Sequence, residues 1–445
     1  MNAKETLKAD ILQKVAEYYQ LVHAPQQDAP FVAGETRVSY AGRRFDAREM
    51  TNLVDASLDF WLTYGDYSRT FEKKLADYLG LRWALLVNSG SSANLLAFMA
   101  LTSPLLKERQ ILRSDEVITV ACGFPTTVAP ILQYGAVPVF IDVELNTANA
   151  DVSQLEQALS PKTKAVMLAH TLGNPFDVQA IKAFCQKHNL WLIEDNCDAL
   201  GSRIHGQLTG TFGDIGTSSF YPPHHMTMGE GGAVYTSNPL LKKIMLSMRD
   251  WGRDCWCDSG KDNTCGCRFT GQFGTLPFGY DHKYVYSHFG YNLKATDLQA
   301  AIGCAQLEKL PSFVQKRKAN YAALLDDVKD IPWLRIQKAL PEADPSWFGF
   351  LMTLTPDAPV TRNGLAEYLE KNKIQTRNLF AGNLTRHPCF ETLQAGTDYR
   401  IAAPLVNTDT IMNQSLWIGV YPGMTESHIA YMISTLLPCL KRIEG

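Results

Sequence analysis

The sequence predicts an α/β protein with a mostly parallel sheet covered by helices on both faces. Between about residues 81 and 236, short apolar runs alternate with stretches of helical spacing, and the runs are apolar throughout rather than at every second position. Strands that are buried on both faces have this pattern. The length of 445 residues allows a large core and a second domain.

The elements of the large domain follow one another in a regular order. We expect helices at 92–101, 127–134 and 178–188. In sheets of this kind, ligands bind at the carboxyl ends of the strands. Side chains that follow different strands are therefore expected to share one crevice. The predicted strands are 83–87, 117–121, 137–142, 165–170, 190–194, 216–220 and 233–236.

Three regions are predicted along the chain. Residues 1–60 form an N-terminal helical segment, in which apolar side chains recur at helical spacing among charged ones. Residues 61–310 form the large domain, with a loop near 250–286 that is rich in Gly, Cys and aromatic residues. Residues 311–445 form a smaller C-terminal α/β domain, and the long helix that leads into it is expected to break near Pro311.

Charge and hydropathy exclude several classes of function. The net charge is −3 and the basic residues are spread along the chain, which argues against nucleic-acid and membrane-surface partners. No apolar run approaches the roughly 20 residues that span a bilayer, and the N-terminus does not resemble a signal peptide. We therefore expect a cytoplasmic protein, in which disulfides among its ten cysteines are not expected.

The first candidate site is a turn of small residues after the strand at 83–87. Gly90, Ser91 and Ser92 join this strand to a helix, where backbone N–H groups can bind a phosphate. The alternative is a tight turn with a serine cap and no ligand.

Acidic and aromatic residues follow two further strands. Asp195 ends an apolar strand, where a carboxylate can keep a pyridine nitrogen protonated, and Asp198 lies one turn later. Phe124 follows another strand and is placed to stack on a ring. Taken singly, each has an ordinary alternative: a solvated strand end, a helix cap or a core aromatic residue.

The most informative segment runs from Ser219 to the Gly-rich turn at 229–232. A pyridoxal-phosphate enzyme presents its imine-forming lysine in this context, but the basic residue here is His224. An imidazole moves protons near neutral pH and cannot form that imine. No lysine lies between residues 204 and 241, and His225 is the weaker candidate. The cofactor is therefore expected to bind without a covalent bond, with Tyr221 near the substrate.

Together and in this order, these segments resemble the DegT/DnrJ/EryC1 family of fold type I, aspartate aminotransferase-like, pyridoxal-phosphate enzymes. The resemblance extends from about residue 45 to the end. It implies a homodimer in which Asn292, from the stretch 290–292, reaches the phosphate of the partner subunit's cofactor. It also implies that Phe124 stacks on the ring and Asp195 pairs with its nitrogen. The implied phosphate ligands within the chain are Gly90, Ser91, Ser92 and Ser219.

Four cysteines form a candidate metal site. They are Cys197, Cys255, Cys257 and Cys265, and four thiolates can hold zinc or an iron–sulfur cluster. From spacing alone, zinc is as plausible as iron, and Cys267 is a rival ligand. The pattern resembles the [2Fe–2S] site of the hexulose 3-dehydrases that make 3,6-dideoxysugars, which also have histidine in place of the lysine.

This resemblance implies removal of the C3 hydroxyl from a nucleotide-linked 4-keto-6-deoxyhexose, with CDP as the favoured nucleotide and a role in O-antigen biosynthesis. Pyridoxamine phosphate would be the working form of the cofactor. A separate NAD(P)H-dependent flavin or iron–sulfur reductase would supply electrons, since no such site is recognisable in the chain. Arg386 and Arg400 are candidates for the diphosphate, from their charge and their position in the second domain.

Three alternatives stay open at this stage. One is a cluster-free, glutamate-coupled GDP-4-keto-6-deoxymannose 3-dehydratase of the colitose type, against which the cysteines argue. Another is a nucleotide-sugar aminotransferase, against which the missing lysine argues. The last is a noncatalytic metal-binding or scaffold protein, which would have no need for His224, Asp195 and the phosphate turn together.

Overall fold

The computed structural model describes residues 2–257 and 259–440. Its helices are α1 (Ala3–Tyr18), α2 (Ala24–Gln27), α3 (Ala47–Asp59), α4 (Asp66–Leu79), α5 (Gly90–Ala100), α6 (Pro125–Tyr134), α7 (Leu155–Ala158), α8 (Val178–Lys187), α9 (Pro239–Arg249), α10 (Asp297–Val328), α11 (Arg362–Lys371), α12 (Val406–Gln414) and α13 (Glu426–Leu440). Its strands are β1 (Trp83–Val87), β2 (Glu116–Val120), β3 (Val137–Ile141), β4 (Thr163–Ala169), β5 (Trp191–Asp195), β6 (Arg203–Ile204), β7 (Gln207–Leu208), β8 (Ile215–Ser219), β9 (Gly232–Thr236), β10 (Leu334–Ile336), β11 (Ala343–Asp344), β12 (Gly349–Leu354), β13 (Thr376–Arg377), β14 (Arg400–Ile401) and β15 (Ser415–Gly419).

The large sheet confirms the predicted fold class. Its strand order is β1-β9-β8-β5-β4-β2-β3-β14. Strand β9 is antiparallel to both of its neighbours, and the pairs from β8 to β14 are parallel. Since β9 alone is reversed, the carboxyl ends of β1, β2, β4, β5 and β8 lie at one edge of the sheet. The predicted strands agree with the observed ones to within one or two residues.

The sheet is covered on both faces by apolar side chains. One core joins β1, β2 and β5 to α5 and α9, with Leu96 and Ile244 fully buried. A second core lies against α8 and includes Phe348 and Trp417 from the C-terminal part of the chain. Burying each large aliphatic side chain contributes about 1.5–3 kcal/mol, so these cores fix the strand ends that position the site.

Helix α10 corrects the prediction of a break near Pro311. It begins at a capping box between Thr296 and Gln299 and continues through the proline to Val328. The missing N–H and ring of Pro311 disfavour a helix, but the neighbouring Leu310 and Phe313 are buried, and this packing keeps the helix continuous.

The C-terminal part of the chain contributes to more than one sheet. It forms an antiparallel sheet of order β10-β12-β15-β13, while β11 pairs with β6 and β14 adds to the edge of the large sheet beside β3. The predicted boundary at 310/311 lies inside α10, and residues 441–445 of the predicted small domain lie outside the described residues, as does Met1. Within the described residues, no helix is both long and apolar enough to cross a membrane.

The first part of the N-terminal segment is helical, as its spacing predicts, but helix α1 buries none of its apolar side chains. Helix α1 is capped by reciprocal hydrogen bonds between Asn2 and Glu5, and none of its residues is buried. Lys8 lies 2.7 Å from Asp55 and 3.0 Å from Asp59 of α3, so polar contacts hold α1 on this side.

Candidate active site

A cavity of about 460 Å³ lies at the edge of the large sheet where the parallel strands end. Side chains that follow β1, β2, β4, β5 and β8 meet there, as the strand order predicts. From the large domain, the wall includes Gly90, Ser91, Asn94, Phe124, Thr126, Asp195, Cys197, Asp198, Ser219, Tyr221 and His224. From the C-terminal part, it includes Phe348, Arg377, Asn378, Phe380 and Trp417.

The turn before α5 forms a narrow cup with the end of β8. A Cβ atom on Gly90 would lie 2.4 Å from the Cβ of Ser219, so only glycine allows this approach. Ser89 caps the helix by accepting the backbone N–H of Ser92 at 3.0 Å. Ser92 is engaged in the cap and does not line the cavity, and its role as a phosphate ligand stays a prediction. Gly90, Ser91 and Ser219 are brought together.

The Asp195 carboxylate is fixed by three hydrogen bonds. Asn94 and Thr127 each donate to Oδ2 at 2.7 Å, and the backbone N–H of Cys197 donates to Oδ1 at 3.1 Å. Thr217 in turn donates to the Asn94 side chain at 2.7 Å. Sequence reasoning missed Asn94 and Thr127, since nothing in the sequence shows that α5 and α6 meet the end of β5. The result is a buried carboxylate of fixed orientation, suited to holding a ring nitrogen.

His224 and Asp198 form a pair in the cavity wall. The Nε2 of His224 lies 3.5 Å from the Oδ1 of Asp198, and among the described residues its buried Nδ1 has no hydrogen-bond partner. Burial raises the pKa of Asp198, and the neighbouring His224 ring offsets part of that rise. The backbone of His224 is held because its N–H donates to Tyr221 and its carbonyl accepts from Arg317 at 3.2 Å.

Of the neighbouring candidate residues, Phe124 and Tyr221 face the cavity and His225 does not. Phe124 and Tyr221 line the cavity and are 48% and 47% exposed, so both have an open face for a ligand. His225 is buried, and its Nε2 lies 2.7 Å from the carbonyl of Ser346, away from the cavity. The choice of His224 over His225 therefore agrees with the placement of the two rings.

The two arginines that were predicted to bind substrate lie elsewhere. Arg400 is paired with Glu116 at 2.8 Å at the edge of the sheet, and Arg386 is exposed and bonds to Asp409 at 2.7 Å. Neither lines the cavity, because each is used to hold a C-terminal loop in place. Arg377 does line it, with its guanidinium 4.1 Å from the centre of the Tyr40 ring. The assignment of Arg386 and Arg400 to the diphosphate stays a prediction.

Asn292 lies outside the cavity of its own chain. It is exposed and pairs with Asp250 in an isolated β-bridge, which lies a few residues before the start of α10. Its predicted contact across a dimer stays a prediction.

The structure divides the four predicted metal-ligand cysteines. The sulfur atoms of Cys255, Cys257 and Cys265 lie within 4.8 Å of one another. Cys197 is in neither group of candidate ligands found in the described residues, because its place directly after β5 puts it in the cavity wall. Burial and the nearby Asp195 raise the pKa of Cys197. The binding of all four cysteines to one metal centre stays a prediction.

The loop contains a second group of candidate metal ligands, only part of which could be predicted from the sequence. Cys265, Cys267 and His282 also present their ligand atoms within 4.8 Å of one another. Hydrogen bonds from the Cys267 backbone and from His282 lower the pKa of the Cys265 thiol to about 6, whereas burial raises that of Cys255 to about 12. Cys267 was noted as a rival ligand, and His282 was missed because a single histidine in a loop carries no pattern.

A family model described as the DegT/DnrJ/EryC1/StrS aminotransferase family matches residues 44–437. The chain belongs to this family. Its fold is that of the fold type I pyridoxal-phosphate enzymes, as the resemblance implied.

Several proteins that are similar over nearly the whole chain have names that refer to sugars or to lipopolysaccharide biosynthesis. The lipopolysaccharide biosynthesis protein RfbH of Salmonella typhimurium is 54% identical over 429 residues, which are 96% of this chain and 97% of that protein. The dTDP-4-dehydro-2,6-dideoxy-D-glucose 3-dehydratase of Saccharopolyspora spinosa is 50% identical, over 96% of this chain and 91% of its own length. The structure of E. coli GDP-4-keto-6-deoxy-D-mannose-3-dehydratase with bound hydrated PLP has a TM-score of 0.80 at 29% identity, covering 90% of this chain and 99% of that one.

The residues of the cavity fit the cofactor of this family. The cup at Gly90 and Ser219 has no room for an added Cβ, and the fixed Asp195 carboxylate lies in the same cavity. Among the described residues, none in the cavity wall is a lysine. The site therefore suits a cofactor that is held by hydrogen bonds and ring contacts, with His224 as the basic group beside it.

Proposed function

We propose that the chain is a pyridoxamine-phosphate-dependent dehydratase that removes the C3 hydroxyl of a nucleotide-linked 4-keto-6-deoxyhexose in dideoxysugar and lipopolysaccharide biosynthesis. The observation that carries this proposal is His224, which occupies the position of the lysine in a cavity that keeps the phosphate cup and Asp195. The names of the relatives, which include sugar 3-dehydratases, support the same reaction.

Each part of the cavity has an assigned role. Gly90, Ser91 and Ser219 would hold the phosphate of the cofactor, Phe124 would lie against its ring, and Asp195 would pair with the ring nitrogen. The ring of the cofactor, when bound, withdraws electrons from the carbon that carries its amine. The negative carboxylate of Asp195, which Asn94 and Thr127 hold in one orientation, would favour the protonated form of that nitrogen.

His224 moves the proton in this reaction. With its ring in the cavity wall, it would take up and return the proton beside the bound cofactor, which would supply the electron withdrawal that lets C3 of an amine-linked sugar lose its hydroxyl as water. A lysine at this position would instead bond to the cofactor and lead to transamination. Asp198, 3.5 Å from the His224 ring, stabilises the imidazolium that forms.

Arg377 is proposed to bind the diphosphate of the nucleotide. Its guanidinium has five donors in a fixed plane, which suits phosphate oxygens, and it lies at the mouth of the cavity. Tyr221, with its exposed ring beside His224, is assigned to the sugar. The nucleotide is proposed to be CDP on the resemblance alone, and activities with CDP-, dTDP- and GDP-linked substrates would be compared directly.

The cysteine-containing loop of residues 254–287 supports a reaction in which the dehydrated sugar is finally reduced. Replacing C–OH by C–H with loss of water takes two electrons and two protons. We assign the electrons to a separate NAD(P)H-dependent flavin or iron–sulfur reductase and their passage, one at a time, to a [2Fe–2S] centre on this loop. The grouped thiols of Cys255, Cys257 and Cys265 support the centre, because soft donors at this spacing suit iron and sulfide.

A second candidate is the cluster-free dehydratase that is regenerated by glutamate. The structural likeness to GDP-4-keto-6-deoxy-D-mannose-3-dehydratase favours it. The two candidates differ in what restores the cofactor after one turnover. Multiple turnovers with glutamate alone would favour the second, and turnovers that require a reductase and NAD(P)H would favour the first.

The test of the dehydratase itself uses His224. His224→Asn should lower the rate of C3-hydroxyl loss by about 10²–10⁴-fold, the usual contribution of a general base, while cofactor binding, followed by absorbance, stays within a few-fold of wild type. His224→Lys should lose deoxygenation and bond to the cofactor. His387→Asn, at an exposed histidine outside the cavity wall, is the control. Undiminished loss of the hydroxyl in His224→Asn would overturn the proposal.

A further inference from the structure

Arg317 of α10 is a buried arginine whose hydrogen bonds all go to backbone carbonyls. It is 1% exposed, although charged side chains are rarely buried without an ionised partner. Its Nη1 donates to the carbonyls of Trp347 at 3.2 Å and Phe348 at 3.3 Å. Its Nη2 donates to the carbonyls of Pro223 at 3.4 Å and His224 at 3.2 Å. One side chain therefore joins the segment that carries His224 to the segment that leads into β12.

The segments that Arg317 joins both belong to the wall of the cofactor cavity. Pro223, His224 and Phe348 line the cavity, whereas Arg317 itself does not. The ring centroids of His224 and Phe348 lie 5.4 Å apart, and the Nε2 of His224 lies 3.5 Å from the Oδ1 of Asp198. Because one guanidinium binds the backbone of both ring-bearing residues, it fixes the place of the imidazole relative to its neighbours.

The pattern of hydrogen bonds favours an orienting role over a gain in stability. Burial lowers the pKa of Arg317 to about 9, and the charge of Asp198 offsets part of the fall, so the side chain is a cation at neutral pH. An apolar side chain of similar volume would fill the same space without the cost of burying a charge. A planar fork of donors, however, can bind the carbonyls of two segments at the same time.

We propose that Arg317 is a positioning residue of the dehydration reaction, which holds the backbone of His224 and Phe348 so that the imidazole keeps one place beside Asp198. It acts through His224 and does not contact the reacting atoms. This inference rests on the proposed function, in which His224 moves the proton. Proton transfer depends steeply on the placement of the base, and a misplacement of about 1 Å can slow a reaction by about 10²-fold.

The first test removes the donors of Arg317 and keeps most of its volume. Arg317→Met should lower kcat for loss of the C3 hydroxyl by about 10- to 100-fold, with KM and cofactor affinity within a few-fold of wild type. Arg317→Lys keeps the charge without the planar fork, so its kcat should lie between those of wild type and Arg317→Met. Lys318→Met is the control, because this neighbouring lysine pairs with Asp344 at 2.6 Å, and its kcat should be unchanged. Rates are expressed per cofactor-bound site, so that a loss of folded protein does not lower them.

Combination with His224→Asn tests whether Arg317 acts through His224. In the His224→Asn background, Arg317→Met should lower the residual rate by less than about twofold, since the group that Arg317 positions is already absent. A purely structural role would lower the rate by the same factor in both backgrounds. Equal factors, or full kcat in Arg317→Met, would overturn the proposal. Should Arg317→Met fail to fold, Arg317→Lys takes its place in each comparison.

A further readout does not depend on dehydration. The lysine introduced by His224→Lys should bond to added pyridoxal phosphate, which absorbance follows. Arg317→Met in this background should slow formation of the bond by at least about tenfold, and Lys318→Met should leave its rate unchanged. Equal rates would contradict the positioning role. A wild type that does not release the hydroxyl, together with a lysine bond that depends on Arg317, would contradict only the proposed function. Dehydration that requires His224 but not Arg317 would contradict only this inference.

Discussion

The Nε2 of His224 lies 3.5 Å from the Oδ1 of Asp198, and both side chains are mostly buried in the wall of the cofactor cavity. The other ring nitrogen of His224 is buried and, among the described residues, has no hydrogen-bond partner. Asp198 is thus the protein group that orients the ring and balances the charge when the ring takes a proton. Because Asp198 acts through His224, we class it as a positioning residue.

Asp198→Asn tests this relationship. Without the carboxylate, the imidazolium is less stable and the ring is less well oriented, so we expect kcat to fall by about tenfold or more with a smaller change in KM. Burial raises the pKa of Asp198 above its usual value, so wild-type activity should fall as the pH drops through that raised pKa and the carboxylate is protonated. The part of this acid limb that comes from Asp198 should be missing in Asp198→Asn.

The measurement is the pH dependence of kcat for wild type and variant, with Asp198→Glu as the conservative comparison. A purely structural role would lower stability and leave the shape of the pH profile unchanged. An acid limb that persists unaltered in Asp198→Asn would therefore contradict the positioning role.

Much of the fold could be predicted from the sequence because strands buried on both faces leave a strong local pattern. The end of β5 at Asp195 follows from an apolar run that stops at acidic residues. The continuity of α10 through Pro311 could not be predicted, since it depends on packing against distant residues.

Site residues that directly follow a strand could be predicted from the sequence. Residues that reach the cavity only through tertiary packing could not. Gly90, Asp195 and His224 meet because parallel strands end at one edge. Arg377 and Asn94 carry no local signal that they line the cavity. Charge and position alone selected Arg386 and Arg400, which pair with Asp409 and Glu116 and lie outside the cavity wall.

Arg377 and Arg386 give a matched pair for substrate binding. Charge-assisted hydrogen bonds to phosphate contribute about 1.5–3 kcal/mol, so Arg377→Ala should raise KM for the nucleotide-linked sugar by about 10- to 100-fold. Arg386→Ala, which loses only its pair with Asp409, should change KM by less than about twofold. Steady-state kinetics on both variants decide this, and the reverse order of effects would return the assignment to Arg386.

Arg400 is expected to matter for stability rather than for substrate. Burial alone would raise the pKa of Glu116, but hydrogen bonds from Arg400 and Ser160 outweigh it, so that the pKa is lowered. A carboxylate with a lowered pKa stabilises the fold above its unfolded-state pKa and loses that contribution as the pH falls through the lowered value. Arg400→Gln should therefore cost about 1–3 kcal/mol at neutral pH, and less in acid.

Urea unfolding of wild type and Arg400→Gln at pH 7 and near pH 4 measures this difference. Arg335→Gln, at an exposed arginine of β10, is the control. A rise in KM for the sugar without loss of stability would show that Arg400 binds substrate after all.

Asn292 provides a test of the proposed homodimer in which each subunit completes the other's site. It is exposed and lies outside the cavity of its own chain, close along the chain to Phe289, whose ring is 101% exposed. If it donates to the partner's cofactor phosphate, Asn292→Asp should weaken cofactor binding by at least about tenfold, because a carboxylate repels the phosphate. Co-expressing Asn292→Asp with His224→Asn then separates the models. In a symmetric dimer, half of the assemblies would be mixed and each would contain one intact site, so about a quarter of wild-type activity should return. Activity no higher than that of the separate variants would place Asn292 outside the partner's site.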